Sequence, residues 1–192
     1  DNQSLDAAKN HLHSSPPPSK NIPTEAFEKL KSPSLSARQS GIKQLVQISV
    51  NQQESLLSLY FSETDQDIKM GIIKAMAELK KAIFLPAFLD AVGVEIGNHC
   101  QGNIRRVAAC AIGEIDWQLE LNTNSMAKTI EKLEWALLNP EDWGLRYSAC
   151  LALKSINTTL AMEVLCKARA KETDPVVSTR IAMALPAPDA EL

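Results

Sequence analysis

The sequence predicts an all-α solenoid of about five two-helix repeats, on two observations. A helical segment recurs five times along the chain, and the same apolar stripe returns within each recurrence. The segments are LSARQSGIKQLVQI from Leu35, QDIKMGIIKAMAEL from Gln66, GNIRRVAACAIGEI from Gly102, WGLRYSACLALKSI from Trp143 and PVVSTRIAMAL from Pro175. Aligned on Ala37, Ile68, Ile104, Leu145 and Val177, they lie 31, 36, 41 and 32 residues apart, a period that belongs to helical repeat arrays. Small or apolar residues then recur at Ile72, Ala108, Ala149 and Ile181, at Ala75, Ala111, Ala152 and Ala184, and at Met76, Ile112, Leu153 and Leu185. Intervals of three and four put these positions on one face of a helix.

Taken in order, each segment follows a second amphipathic stretch. EAFEKL after Thr24 precedes the first, QESLLSLYF the second, IFLPAFLDAVGVEI the third, MAKTIEKLEWALL after Ser125 the fourth and TLAMEVLCKARA the fifth. The unit is therefore a helical hairpin. In four pairs the connection is short and polar (SPS, SETDQ, NPED, KETDP), with Ser, Asp and Pro suited to cap the second helix and fix its entry. The third connection, GNHCQGN at 97–103, differs in composition from the rest.

The repeat domain spans 24–186. Residues 1–23 carry SSPPPS at 14–19 and Pro23, a composition that favours extended or disordered chain, and 187–192 form a short C-terminal tail. With 192 residues, 45% of them hydrophobic and 22% charged, the chain can bury a sizeable core. A net charge of -3 without a long basic run gives no electrostatic footprint for nucleic acid or an acidic membrane surface. The longest apolar stretch, 82–96, is too short to span a bilayer and is interrupted by Pro86, Asp90 and Glu95. An apolar secretory leader is absent from the N-terminal residues, so a cytoplasmic location is the simplest expectation. Cys110, Cys150 and Cys166 fall within helical apolar patterns and are expected to behave as small buried hydrophobes, without disulfides. There is no CxxC pair, and His11, His13 and His99 are split between the tail and one loop, so no metal site is expected.

Stacked repeats leave an extended concave surface, built largely from the second helices, and such surfaces commonly bind proteins. A non-catalytic adaptor is therefore the plain alternative to chemistry. Against it stands the 97–103 loop, which pairs an imidazole with a thiol. Gly97 and Gly102 allow close backbone approach, and Asn103 suits the N-cap of a helix beginning at Ile104. Cys100 would then lie just ahead of a helix N-terminus and beside His99, which favours its thiolate, and His99 could move a proton near neutral pH.

Lys69, Arg105 and Arg146 fall one residue after the aligned position in three repeats and read as a structural ladder facing turn acids such as Asp65 or Asp142. Arg106 has Met70, Tyr147 and Thr179 as counterparts and lies off the buried stripe, so it could hold a carboxylate. Tyr147, Trp143 and Trp117 could stack on a planar ligand or line an interface, although core packing explains them equally well.

The repeats resemble the HEAT-like units of phycobilin lyases, making the expected fold a HEAT-like α-solenoid. EDWGLRYSACLAL at 141–153 resembles the F-type subunit of the heterodimeric E/F lyases, and NHCQGN at 98–103 resembles the motif of the isomerising lyases that form phycoviolobilin. The resemblance covers about 24–186. It implies a cyanobacterial heterodimer with an E-type lyase subunit. That pair attaches phycocyanobilin by a thioether to a cysteine of the apo α subunit of phycoerythrocyanin and moves a double bond from the 4,5 to the 2,3 position. It implies no cofactor of its own, phycocyanobilin being substrate. His99 and Cys100 become the expected catalytic pair, and Gln101, Asn103, Arg106, Tyr147 and Trp143 the expected bilin contacts. A non-isomerising lyase subunit for the α subunit of phycocyanin is the alternative within the family. A metal-cluster carrier resting on His99 and Cys100 is a weaker one.

Overall fold

The computed structural model of the chain describes residues 21–93, 99–117, 123–138 and 141–187, and for residues 99–102 the backbone alone. The Pro-rich run, His11 and His13 lie outside the described residues.

Ten α-helices form five consecutive hairpins among the described residues, with no strand: α1 (Thr24–Leu30) with α2 (Leu35–Val46), α3 (Gln53–Ser62) with α4 (Gln66–Leu79), α5 (Leu85–Gly93) with α6 (His99–Glu114), α7 (Thr123–Leu138) with α8 (Trp143–Ile156), and α9 (Thr159–Arg169) with α10 (Pro175–Ala184). Short 3-10 turns, Val50–Gln52 and Ala82–Phe84, lead into α3 and α5. No helix among the described residues is long and apolar enough to cross a membrane.

The polar connections cap the second helices as their composition predicts. Ser34 accepts from the Ala37 N–H, Asp65 from Asp67 and Ile68, Asp142 from Gly144, and Asp174 from Val176 and Val177, with Pro175 in the first turn. Each cap satisfies N–H groups that have no partner inside the helix. Lys80 and Asn157 take the left-handed conformation that ends α4 and α8, at φ 53° and 52°.

The repeating stripe is the core. Ile72, Ala108, Ala149 and Ile181 are fully buried, as are Met76, Ile112 and Leu153. The alanines of the stripe let second helices approach closely: a Cβ on Gly113 would lie 2.8 Å from the Ala152 Cα, so α6 and α8 nearly touch along their backbones. Adjacent second helices share more contact than adjacent first helices. That asymmetry shortens the second-helix layer and makes it the inner face of the solenoid.

Candidate functional site

The second helices α2, α4, α8 and α10 each begin two residues before the aligned position of their repeat. α6 begins five before it, at His99 rather than after Asn103. The sequence expectation of a loop through 103, with Asn103 capping a helix from Ile104, is thus corrected. Asn103 is an exposed residue of the second turn, and His99, Cys100 and Gln101 form an added N-terminal turn. Gly102 misled because glycine inside a helix costs about 0.5–1 kcal/mol relative to alanine and usually marks a boundary. The side chains of His99, Cys100 and Gln101 lie outside the described ones. Their backbone position places the thiol-bearing residue in the first turn of a 16-residue helix, at the positive end of its dipole.

Two turns along the same helix, Arg106 meets the start of α8. Its Nε donates to Asp142 Oδ1 and Oδ2 at 3.1 and 3.0 Å, its Nη2 also donates to Oδ1, and its guanidinium sits over the Trp143 ring, 5.7 Å from the centroid. Arg106, expected to hold a ligand carboxylate, holds that of Asp142 instead. A Cβ at position 144 would collide with the Arg106 guanidinium, so Gly144 gives that group its seat. Burial pushes the Asp142 carboxyl up. The Arg106 hydrogen bonds and charge, with the N–H groups of Gly144 and Leu145, outweigh it and hold the group below its ordinary value. The Arg106 guanidinium is raised by the same hydrogen bond. Trp143 remains 48% exposed.

Tyr147 lies farther along α8, half-buried, and its hydroxyl accepts from Arg180 Nη2 at 2.6 Å, with the Arg180 guanidinium 5.0 Å from its ring centroid. The structure therefore brings Arg106 and Trp143 together and ties Tyr147 to α10 instead. Trp117 is a core residue whose Nε1 donates to the Ile112 carbonyl at 2.9 Å.

The basic ladder is structural, and Arg146 in it pairs with an acid of a turn, Glu172. Arg105, 2% exposed, donates to the Val92 carbonyl at 3.2 Å and stacks over Trp135. Burial lowers its pKa, the charge of Asp142 opposing. Arg146 pairs with Glu172 at 2.9 Å, and Lys69 sits over the Tyr60 ring. Among the described cysteines, Cys150 is buried as expected. Cys110 is only half-buried, and Cys166 is exposed because its α9 position faces away from the core. Burial pushes the Cys150 thiol up to about 11 against the pull of Arg180 and Lys154.

A groove that no sequence signal announced runs across α2 and α4 on the inner layer. It encloses about 580 Å³, is lined by Ile42, Met70, Ala77 and Val107, and carries Lys43 and Lys74. It shares Ala77, Glu78 and Val107 with a depression of about 370 Å³ that reaches Arg106 and Cys110 on α6. Lysines spaced along a solvent-facing helix read as ordinary surface in a sequence, which is why these were missed.

The HEAT repeat family matches residues 94–186. The chain is 40% identical over 148 residues to the bilin biosynthesis protein PecF of Nostoc sp., covering 77% of this chain and 85% of that protein. It is 40% identical over 146 residues to PecF of Mastigocladus laminosus, covering 76% and 68% respectively. Among solved structures, a chain of the complex of CpcE and CpcF of phycocyanin lyase from Nostoc sp. matches with a TM-score of 0.69 at 18% identity, over 83% of this chain and 95% of that one, and shows the shared fold. The two PecF proteins match along most of their own length at this identity, and on that ground the chain belongs to the PecF family of bilin biosynthesis proteins.

Proposed function

We propose that this chain is the F-type subunit of a bilin lyase-isomerase. With an E-type partner it attaches phycocyanobilin by a thioether to a cysteine of the phycoerythrocyanin α subunit and shifts the 4,5 double bond to the 2,3 position, giving phycoviolobilin. The observation that carries this reading is the added turn of α6, where the HCQ residues depart from the register of every other second helix. Family membership supports a bilin substrate, and the turn carries residue types suited to the isomerisation.

In the adduct the shift takes a proton from each of the two carbons that become doubly bonded and returns one to each of the two that lose their double bond, with no net redox change, so this reading calls for no redox cofactor. An imidazole at position 99 suits that relay because it exchanges protons near neutral pH. A thiol in the first turn of α6 is biased toward thiolate by the helix dipole, which suits transient addition to the conjugated bilin or a share in the relay. The acceptor cysteine belongs to the biliprotein, so Cys100 acts only in passing. Gln101, Asn103, Trp143 and Tyr147 are proposed as bilin contacts, and Arg106 as a contact only if it leaves Asp142. The inner layer orients the chromophore toward one acceptor thiol and so suppresses wrong adducts.

The test is co-expression with an E-type partner, the apo α subunit of phycoerythrocyanin and a phycocyanobilin supply, reading the absorption of the denatured product. Wild type should yield phycoviolobilin, and His99→Ala and Cys100→Ala should yield bound phycocyanobilin or no adduct. Phycocyanobilin adducts from all three would make this a non-isomerising subunit.

A further inference from the structure

Phycocyanobilin carries two propionates, and Arg106, the residue the sequence marked for a carboxylate, already holds Asp142. Uncommitted positive charge lies one helix away. Lys74 is half-buried in the α2–α4 groove and Lys43 exposed beside it; neither forms a hydrogen bond or ion pair with a described residue, although Asp67 and Glu78 line the same groove. Arg38, on the same wall, is fixed by donating to the Ser32 and Pro33 carbonyls at 2.8 and 2.9 Å and has no carboxylate partner among the described residues. Between these cations the wall is apolar: Ile42, Met70, Ala77 and Val107. The groove's volume of about 580 Å³ falls within the roughly 300–1,000 Å³ typical of small-molecule sites. Its continuation toward α6 gives it the elongated form that a linear chain of four pyrroles requires.

We propose that the groove between α2 and α4 binds the bilin, with Lys74 and Lys43 pairing with its propionates and the apolar wall covering its pyrrole faces. The inference rests on the lyase reading above. A lysine with no hydrogen-bond or ion-pair partner among the described residues can take a ligand carboxylate without giving up a contact, and the apolar wall beside it strengthens that pairing. The groove's end at Val107 places the tetrapyrrole against the same helix that carries the HCQ turn.

The test is absorption titration of the full chain, alone and with its E-type partner, with phycocyanobilin and with its dimethyl ester, which lacks both carboxylate charges. Wild type should bind the diacid about tenfold or more tighter than the diester, as expected for a charged hydrogen bond. Lys43→Gln with Lys74→Gln should erase that preference, Lys74→Arg should retain most of it, and circular dichroism should show each variant folded. Equal affinity of wild type for diacid and diester, or a preference that survives in the double variant, overturns the groove assignment while leaving the lyase reading intact. Should the double variant lose the E-type partner while keeping its bilin affinity, the groove is a protein-docking surface and the assignment fails. Wild type that binds no bilin in either state overturns both.

Discussion

Asp142 serves two structural ends with one carboxylate: it caps α8 through the Gly144 N–H and anchors Arg106 of the preceding repeat. The two roles separate by substitution, because asparagine caps a helix as well as aspartate but cannot neutralise a guanidinium. Asp142→Asn is expected to lose about 0.5–1 kcal/mol, the scale of a partly exposed pair, and Asp142→Ala about 1 kcal/mol more as the cap is lost, both read by urea unfolding. The pH dependence follows from the depressed carboxyl pKa. A group ionised more readily in the folded chain contributes in full above its unfolded value of about 3.9, and that contribution is lost as pH falls through the lower folded value. The gap between wild type and Asp142→Asn should therefore stay constant from pH 7 to about 5 and close below about 4; a gap that widened in acid would contradict the pairing. The cysteines differ just as sharply. Cys150, buried and with a thiol at about 11, should resist alkylation until the chain unfolds, whereas exposed Cys166 should be labelled in the folded chain, as peptide mapping would show.

At the scale of the helix, two glycines that look interchangeable in the sequence should respond oppositely to alanine. A Cβ at Gly113 meets the backbone of Ala152 at 2.8 Å, and neither helix can yield without prying α6 from α8; overpacking of this kind costs about 1–3 kcal/mol. At Gly144 the obstacle is the mobile end of Arg106, which can swing aside while alanine recovers up to about 1 kcal/mol of helix propensity. Gly113→Ala should thus unfold at clearly lower urea, and Gly144→Ala should stay near wild type while Trp143 fluorescence changes as the guanidinium leaves its ring. The same contrast explains what was readable beforehand. The stripe positions, the hairpins and the Asp and Ser caps follow from local periodicity and capping chemistry, so they were legible. Long-range pairings were not: nothing local tells that Arg106 rather than Arg105 faces Asp142, or that Tyr147 binds Arg180. The start of α6 was misplaced because Gly102 and Asn103 are boundary residues by propensity, and a 16-residue helix overrode them.

Across the whole molecule, stability is close to a sum of terms from each hairpin and its neighbours, as in any one-dimensional stack. The added turn of α6 stands outside that sum, since it extends beyond the register in which the other second helices begin. Removing His99, Cys100 and Gln101 together should restore the common register and bring Asn98 three residues before Ile104, the position from which Ser34, Asp65, Asp142 and Asp174 cap the other second helices. The buried stripe of α6, from Ile104 through Ala108 to Ile112, would keep its neighbours on α4 and α8. The deletion is therefore expected to shift the melting temperature by no more than about 2–4 °C, the equivalent of about 1 kcal/mol for a chain of this size. Isomerisation, by contrast, should vanish. A deletion variant that unfolds many degrees lower would mean that the turn is a structural brace and that the chemistry must be sought elsewhere on the inner layer. One that keeps wild-type stability and still makes phycoviolobilin would remove His99 and Cys100 from the mechanism outright, because no other second helix carries an added turn.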